Sequence, residues 1–198
     1  MGLRHSVLVT NNGKVFVSGN GNKCQLGLID SAKKPIKKTT SFTQVPELFG
    51  IKKAACGQHH TIVLSNNGDL FVWGDNKHGQ LGFDVQKYRN IESPVKLKNI
   101  NVGLDGDIFT GWTHTAVLYD GKVLAWGRNS YGQIGRGESM NTINNWVPEL
   151  VKNVPKLIQL SIGSEHNVAL GEDGSIICWG WNEHGNCGTG NDEDVRFP

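Results

Sequence analysis

Gly57-Gln58-His59-His60-Thr61-Ile62-Val63-Leu64-Ser65-Asn66-Asn67-Gly68-Asp69-Leu70-Phe71-Val72-Trp73-Gly74-Asp75-Asn76-Lys77-His78-Gly79-Gln80-Leu81-Gly82 is the stretch that decides the fold of this chain. Two short apolar, β-prone runs, 61–64 and 70–73, flank an Asn-Gly pair. Asn and Gly tolerate the positive φ of a tight turn, so the runs predict a β-hairpin. The same phrase returns at Gly2–Gly27, Gly111–Gly135 and Gly163–Gly188.

The phrase is rigid inside and elastic outside. Its histidines, His5, His60, His114 and His166, are 55, 54 and 52 residues apart. From each histidine to its turn glycine (Gly13, Gly68, Gly121, Gly174) the distance is 8, 8, 7 and 8 residues. From the first to the last glycine of the closing phrase it is always 8. Fixed spacing within a unit and variable spacing between units describe a structural cassette joined by tolerant loops. No window carries helical periodicity, so the chain reads as all-β. Between cassettes, Pro46–Leu48, Pro94–Leu97 and Pro148–Val151 predict further strands, each followed by an apolar run such as Leu157–Leu160. About four short strands per unit of roughly 50 residues is what a β-propeller blade requires.

Gly-x-x-His, Trp-Gly-x-Asn and Gly-Gln-Leu-Gly in phase resemble the regulator of chromosome condensation repeat family, which implies a seven-bladed β-propeller. The period exceeds the roughly 40–45 residues of Trp-Asp repeats, and no Gly-Gly doublet of kelch type occurs. Counted from the proline strand to the closing glycine, the units span 46–82, 94–135 and 148–188. A half blade, 2–27, precedes them, and 189–198 begins another unit. The sequence therefore holds about three and a half blades of the expected seven and reads as part of a longer parent.

Charge and composition narrow the function. A net charge of +2 gives no electrostatic case for wrapping nucleic acid. The basic run Lys33–Lys38 reads as a solvated loop rather than an import signal. No apolar run near Met1 exceeds Val7–Val9, so neither a signal peptide nor a membrane span is expected. Cys24, Cys56, Cys178 and Cys187 fall at different repeat positions and form no Cys-x-x-Cys pair. They read as reduced thiols of the cytoplasm or nucleus, not as a disulfide frame or zinc site.

A group needed once for catalysis does not recur in every copy. The four phrase histidines are accordingly expected to be scaffold, each serving its own turn. Trp73, Trp126 and Trp179 share one repeat position and are expected between blades, with Ser18 departing in a degenerate first copy. No nucleophile–base constellation, metal-binding helix or phosphate loop is present, so no catalytic residue, metal or cofactor is expected. Positions where the copies disagree carry the candidate site. Trp112 and Trp181 lie in turns, Arg128 and Tyr131 in the third closing turn, and Glu183 and His184 in the fourth. Packing of Trp112, Trp146 and Trp181 inside the fold is the competing expectation. The resemblance implies a non-enzymatic module that binds a small Ras-like GTPase. Its action would be guanine nucleotide exchange linked to secretion, or scaffolding of vesicle-tethering proteins. A chromatin-associated propeller is the remaining alternative.

Overall fold

The computed structural model describes residues 1–137 and 145–198, and every regular element among them is a β-strand. The first sheet holds β1 (His5–Val9), β2 (Val15–Asn20) and β3 (Lys38–Gln44). The second holds β4 (Ile51–Cys56), β5 (His60–Ser65), β6 (Asp69–Asp75) and β7 (Asn90–Asn101). β8 (Asp107–Thr110), β9 (His114–Tyr119), β10 (Lys122–Gly127) and β11 (Glu149–Leu150) form the third. β12 (Leu157–Ile162), β13 (His166–Gly171) and β14 (Ile176–Gly180) form the fourth, to which Val195 adds an isolated bridge at Gly180. All pairs are antiparallel and follow chain order, as in propeller blades. β1, β4, β8 and β12 stand beside one another and form the inner wall of the arc.

Each cassette is the central hairpin of its sheet. The one-residue difference in spacing has a structural cause. In the third copy, two residues join β9 to β10, and both Asp120 and Gly121 have positive φ (48° and 70°), as a type I′ turn demands. In the second copy, three residues join β5 to β6, and only Gly68 is left-handed, at 83°.

Hydrogen bonding and sequence phase differ. The strands at Pro94–Leu97 and Pro148–Val151 pair with the hairpin before them, Val72 with Val95 and Leu124 with Leu150. The hydrogen-bonded sheets thus run from the strand ahead of Gly-x-x-His to the proline strand, offset from the 46–82, 94–135 and 148–188 units. Pro46–Leu48 is not a strand but a turn, with Glu47 at φ 55°. The outer strand of the first sheet is instead β3, whose Thr39, Thr40 and Thr43 are β-branched. Lys38 of the basic run opens that strand, so the loop is shorter than the sequence suggests.

The core lies between sheets. Val15, Val17, Leu26, Ile62, Leu64, Leu70, Val72 and Leu81 are buried in a cluster that reaches Trp126. A second cluster joins the third and fourth sheets through Val123, Ile134, Leu157, Leu160 and Trp179.

Candidate functional site

The repeated residues form a lock between neighbouring sheets. His60 Nε2 lies 3.0 Å from Thr115 Oγ1 on the next sheet, and Thr115 donates to the Gln80 carbonyl at 2.7 Å. Trp126 Nε1 donates to that same carbonyl at 3.0 Å. His5, Thr61, Gln25 and Trp73 repeat the arrangement at the first seam. At the third, Asn167 stands where threonine was, presenting Oδ1 to His114 and Nδ2 to the Gln133 carbonyl. His5, His60 and His114 therefore clamp the next sheet, which corrects the expectation that each serves its own turn. Their glycine partners make room for the ring: a Cβ on Gly57 would fall 2.0 Å from His60 Cε1. Trp73, Trp126 and Trp179 are 0% exposed.

The proton count fixes the tautomer. Thr115 spends its hydroxyl proton on the Gln80 carbonyl, so it accepts from Nε2–H of His60. Nδ1 is then the bare nitrogen, and in His5, His60 and His114 it is buried without a partner among the described residues. Burial pushes the three pKa values down to about 4, about 3 and about 4, respectively.

This scaffold carries variable residues to one end. Asp75 N–H donates to the His59 carbonyl, Arg128 N–H to Thr113 and Trp181 N–H to Glu165, while Asn20 does the same to Arg4. Each sheet thereby sets one residue of its Gly-x-x-His turn beside one of its closing turn. The four pairs are Arg4/Asn20, His59/Asp75, Thr113/Arg128 and Glu165/Trp181, and no two are alike. Closing turns are stapled from within: Asn76 donates to the Phe83 and Tyr88 carbonyls and accepts from Leu81 N–H. The first copy has Gly21 at that position. Its Cys24 still adopts φ 62°, where the other copies place glycine.

Five of the six candidate residues form one cluster. The Arg128 guanidinium lies 5.0 Å from the Tyr131 ring centroid, within cation–π range. Tyr131 and Trp181 are 6.4 Å apart, and Trp181 meets His184 edge-on at 5.1 Å. Trp181 Nε1 donates to Glu183 at 3.2 Å. Beneath them, Glu165 accepts from Thr113 at 3.0 Å and Gln133 at 2.5 Å and faces Arg128 at 3.5 Å. Its residue is 7% exposed, so this carboxylate supports the cluster from inside. Trp112 lies elsewhere, 47% exposed, on an axial cavity of about 340 Å³ with Leu3, Cys56 and Ile162. Exposure there overturns the packing expectation for Trp112; Trp146 and Trp181 are half-buried.

Two features escaped sequence reading. Glu165 sits in a phrase position, yet its partners belong to the preceding sheet. Cys178 and Cys187 are nine positions apart in sequence but are neighbours in the fold. Burial and the adjacent Cys187 thiol push Cys178 up to about 12, which disfavours its thiolate. Among the described residues, no group of His, Cys, Asp or Glu could hold a metal ion.

Radially stacked sheets of three or four strands, joined by a repeated His–Thr–Trp or His–Asn–Trp lock, define an arc of a long-repeat β-propeller. The chain belongs to the RCC1-like domain family, whose model matches residues 1–198. It is 33% identical to the secretion-regulating guanine nucleotide exchange factor of Bos taurus, covering all of this chain and 46% of that protein. It is 32% identical to the ultraviolet-B receptor UVR8 of Arabidopsis thaliana, covering 100% of this chain and 44% of the receptor. Prp20p of Saccharomyces cerevisiae, solved in a study of its binding to Gsp1p and histones, superposes with a TM-score of 0.83. The match there is 26% identical and covers 100% of this chain and 48% of Prp20p. The chain thus spans about half the length of these relatives.

Proposed function

We propose that this chain is a propeller module of a guanine nucleotide exchange factor or regulator for a small Ras-like GTPase, acting in secretion from the cytoplasm. One observation carries the reading: four repeats of one scaffold deliver four different residue pairs to one end, where Arg128, Tyr131, Trp181, Glu183 and His184 cluster. Repetition below and diversity above is the pattern of a recognition surface. The name of the Bos taurus relative and the Gsp1p binding of Prp20p supply the partner class.

Exchange needs no acid–base group. A regulator that binds the nucleotide-free GTPase more tightly than the loaded form drives release by differential affinity alone. Trp112 forms a second contact region on the axis. The test is release of a fluorescent GDP analogue from candidate secretory GTPases, with Trp181→Ala and Arg128→Ala beside the unaltered chain. Accelerated release that both variants reduce supports the reading. Tight binding without release assigns the chain to scaffolding, for example of vesicle-tethering proteins. That second reading is favoured by the receptor relative, which shares this scaffold under a different function. Salt-sensitive retention on nucleosomes without GTPase binding would instead assign it to chromatin.

A further inference from the structure

A cleft of about 240 Å³ separates the second and third closing turns, with Lys77 and His78 on one side and Arg128, Asn129 and Ser130 on the other. Trp146 and Val85 give it apolar walls, and Trp146 packs on Gly79, where a Cβ would fall 2.4 Å from the Trp146 Cβ. Its cations keep donors open to a ligand. Arg128 commits Nε to Ser130 and turns Nη1 toward Glu165, but Nη2 donates to nothing among the described residues. Lys77 forms no ion pair among them, nor does Arg89, whose carbonyl closes the neighbouring turn. Burial first, then Arg128 and Lys77, depress the His78 pKa, as a cationic cleft should; Arg89 adds to this and Asp75 opposes it.

Two carboxylates near the cleft are already engaged. Asp75 is buried and accepts from Gln80 Nε2 at 2.9 Å. Glu165 is held by Thr113 and Gln133. The cleft therefore offers the Lys77 ammonium, without an ion pair among the described residues, and the open Nη2 of Arg128 beside an aromatic wall, while the nearby acids Asp75 and Glu165 already accept side-chain hydrogen bonds.

We infer that this cleft receives an acidic loop of the protein partner, one Asp or Glu carboxylate lying between Lys77 and Arg128. The inference rests on the turn end being the partner face, and it names the chemistry of that contact. A charge-assisted hydrogen bond from the open Nη2 suits Arg128, and Lys77 adds charge without geometric demand.

The experiment is a fluorescence-anisotropy titration of the full chain with a labelled peptide of alternating Asp and Glu, beside its Asn/Gln counterpart. The acidic peptide should bind and weaken with added salt; the amide peptide should not bind. Lys77→Glu and Arg128→Gln should each weaken binding by about tenfold, while Lys122→Glu, at the hairpin end of β10, should leave it unchanged. Equal loss in the Lys122 variant, or no binding at low salt, overturns the inference. So does full displacement by inorganic phosphate at constant ionic strength, which would make the cleft a phosphate site. The two proposals fail separately. Wild-type exchange activity in Lys77→Glu removes this contact and leaves the GTPase reading intact; peptide binding without any GTPase response does the reverse.

Discussion

At the scale of single residues, the lock explains why histidine recurs without catalysis. His60 donates from Nε2 to Thr115, which donates to Gln80, so the chain of protons has one direction. Replacing Thr115 with valine keeps the shape but strands the buried Nε2–H of His60. Thr115→Val should cost about 1–3 kcal/mol in chemical denaturation, and an unchanged midpoint would contradict the lock. The same geometry predicts acid sensitivity. Protonation would place N–H on Nδ1, which has no acceptor among the described residues in His5, His60 or His114. Folded pKa values of about 4, about 3 and about 4 lie below the unfolded value of 6.5. Above 6.5 neither state binds the proton, and full stability is present. Below it the unfolded chain takes up protons first, so stability falls as pH drops toward the folded values. Each buried histidine should contribute a slope of about 1.4 kcal/mol per pH unit in that window. Denaturation midpoints between pH 7 and pH 5 test this, and His60→Gln should flatten the slope.

At the scale of elements, the first glycine of the closing phrase shows how the end opposite the hairpin turn is built. Gly74 has φ +108°, and a Cβ there would lie 2.5 Å from the His59 carbonyl oxygen that Asp75 N–H bonds. Gly103 is also left-handed, at φ +67°, but a Cβ meets nothing within 4 Å. Gly74→Ala should therefore cost about 3 kcal/mol or more, against about 1 kcal/mol for Gly103→Ala, measured by urea midpoints. Equal costs would mean that the close approach at Gly74 is not needed. The hairpins were legible because turn glycines and β-prone runs act locally. The pairing of proline strands was not, since a strand's sequence does not say which neighbour it joins. Pro46–Leu48 looked like the other two but lies beyond β3, where Val45 N–H makes the last bond to Val15. The candidate site was legible as positions where copies differ. Its buried support at Glu165 was not, because Thr113 is 52 residues away and meets it only across a seam.

At the scale of the whole molecule, the seams decide how stability is shared. Among the described residues, the main sheet-to-sheet contacts join neighbouring sheets, and each seam repeats one lock and one buried tryptophan. Stability in such an array is the sum of sheet terms and nearest-neighbour seam terms. The two core clusters meet this description: one spans the first three sheets, and the other joins the third to the fourth. Trp179, which donates to the Gln133 carbonyl at 3.2 Å, belongs wholly to the last seam. Trp179→Ala should remove about 3–5 kcal/mol there while leaving the first two seams chemically intact. Amide hydrogen exchange would then accelerate across β12–β14 first. Amides of β5 and β6, between two intact seams, should keep most of their protection. A uniform loss of protection across all four sheets would show one cooperative unit instead. The distinction bears on function, because Glu165 and Trp181 are carried by the fourth sheet and Arg128 and Tyr131 by the third. A seam that opens locally would take the aromatic cluster apart without unfolding the cleft beside Lys77. In Trp179→Ala, acidic-peptide binding should therefore outlast GTPase binding as the seam is weakened by denaturant.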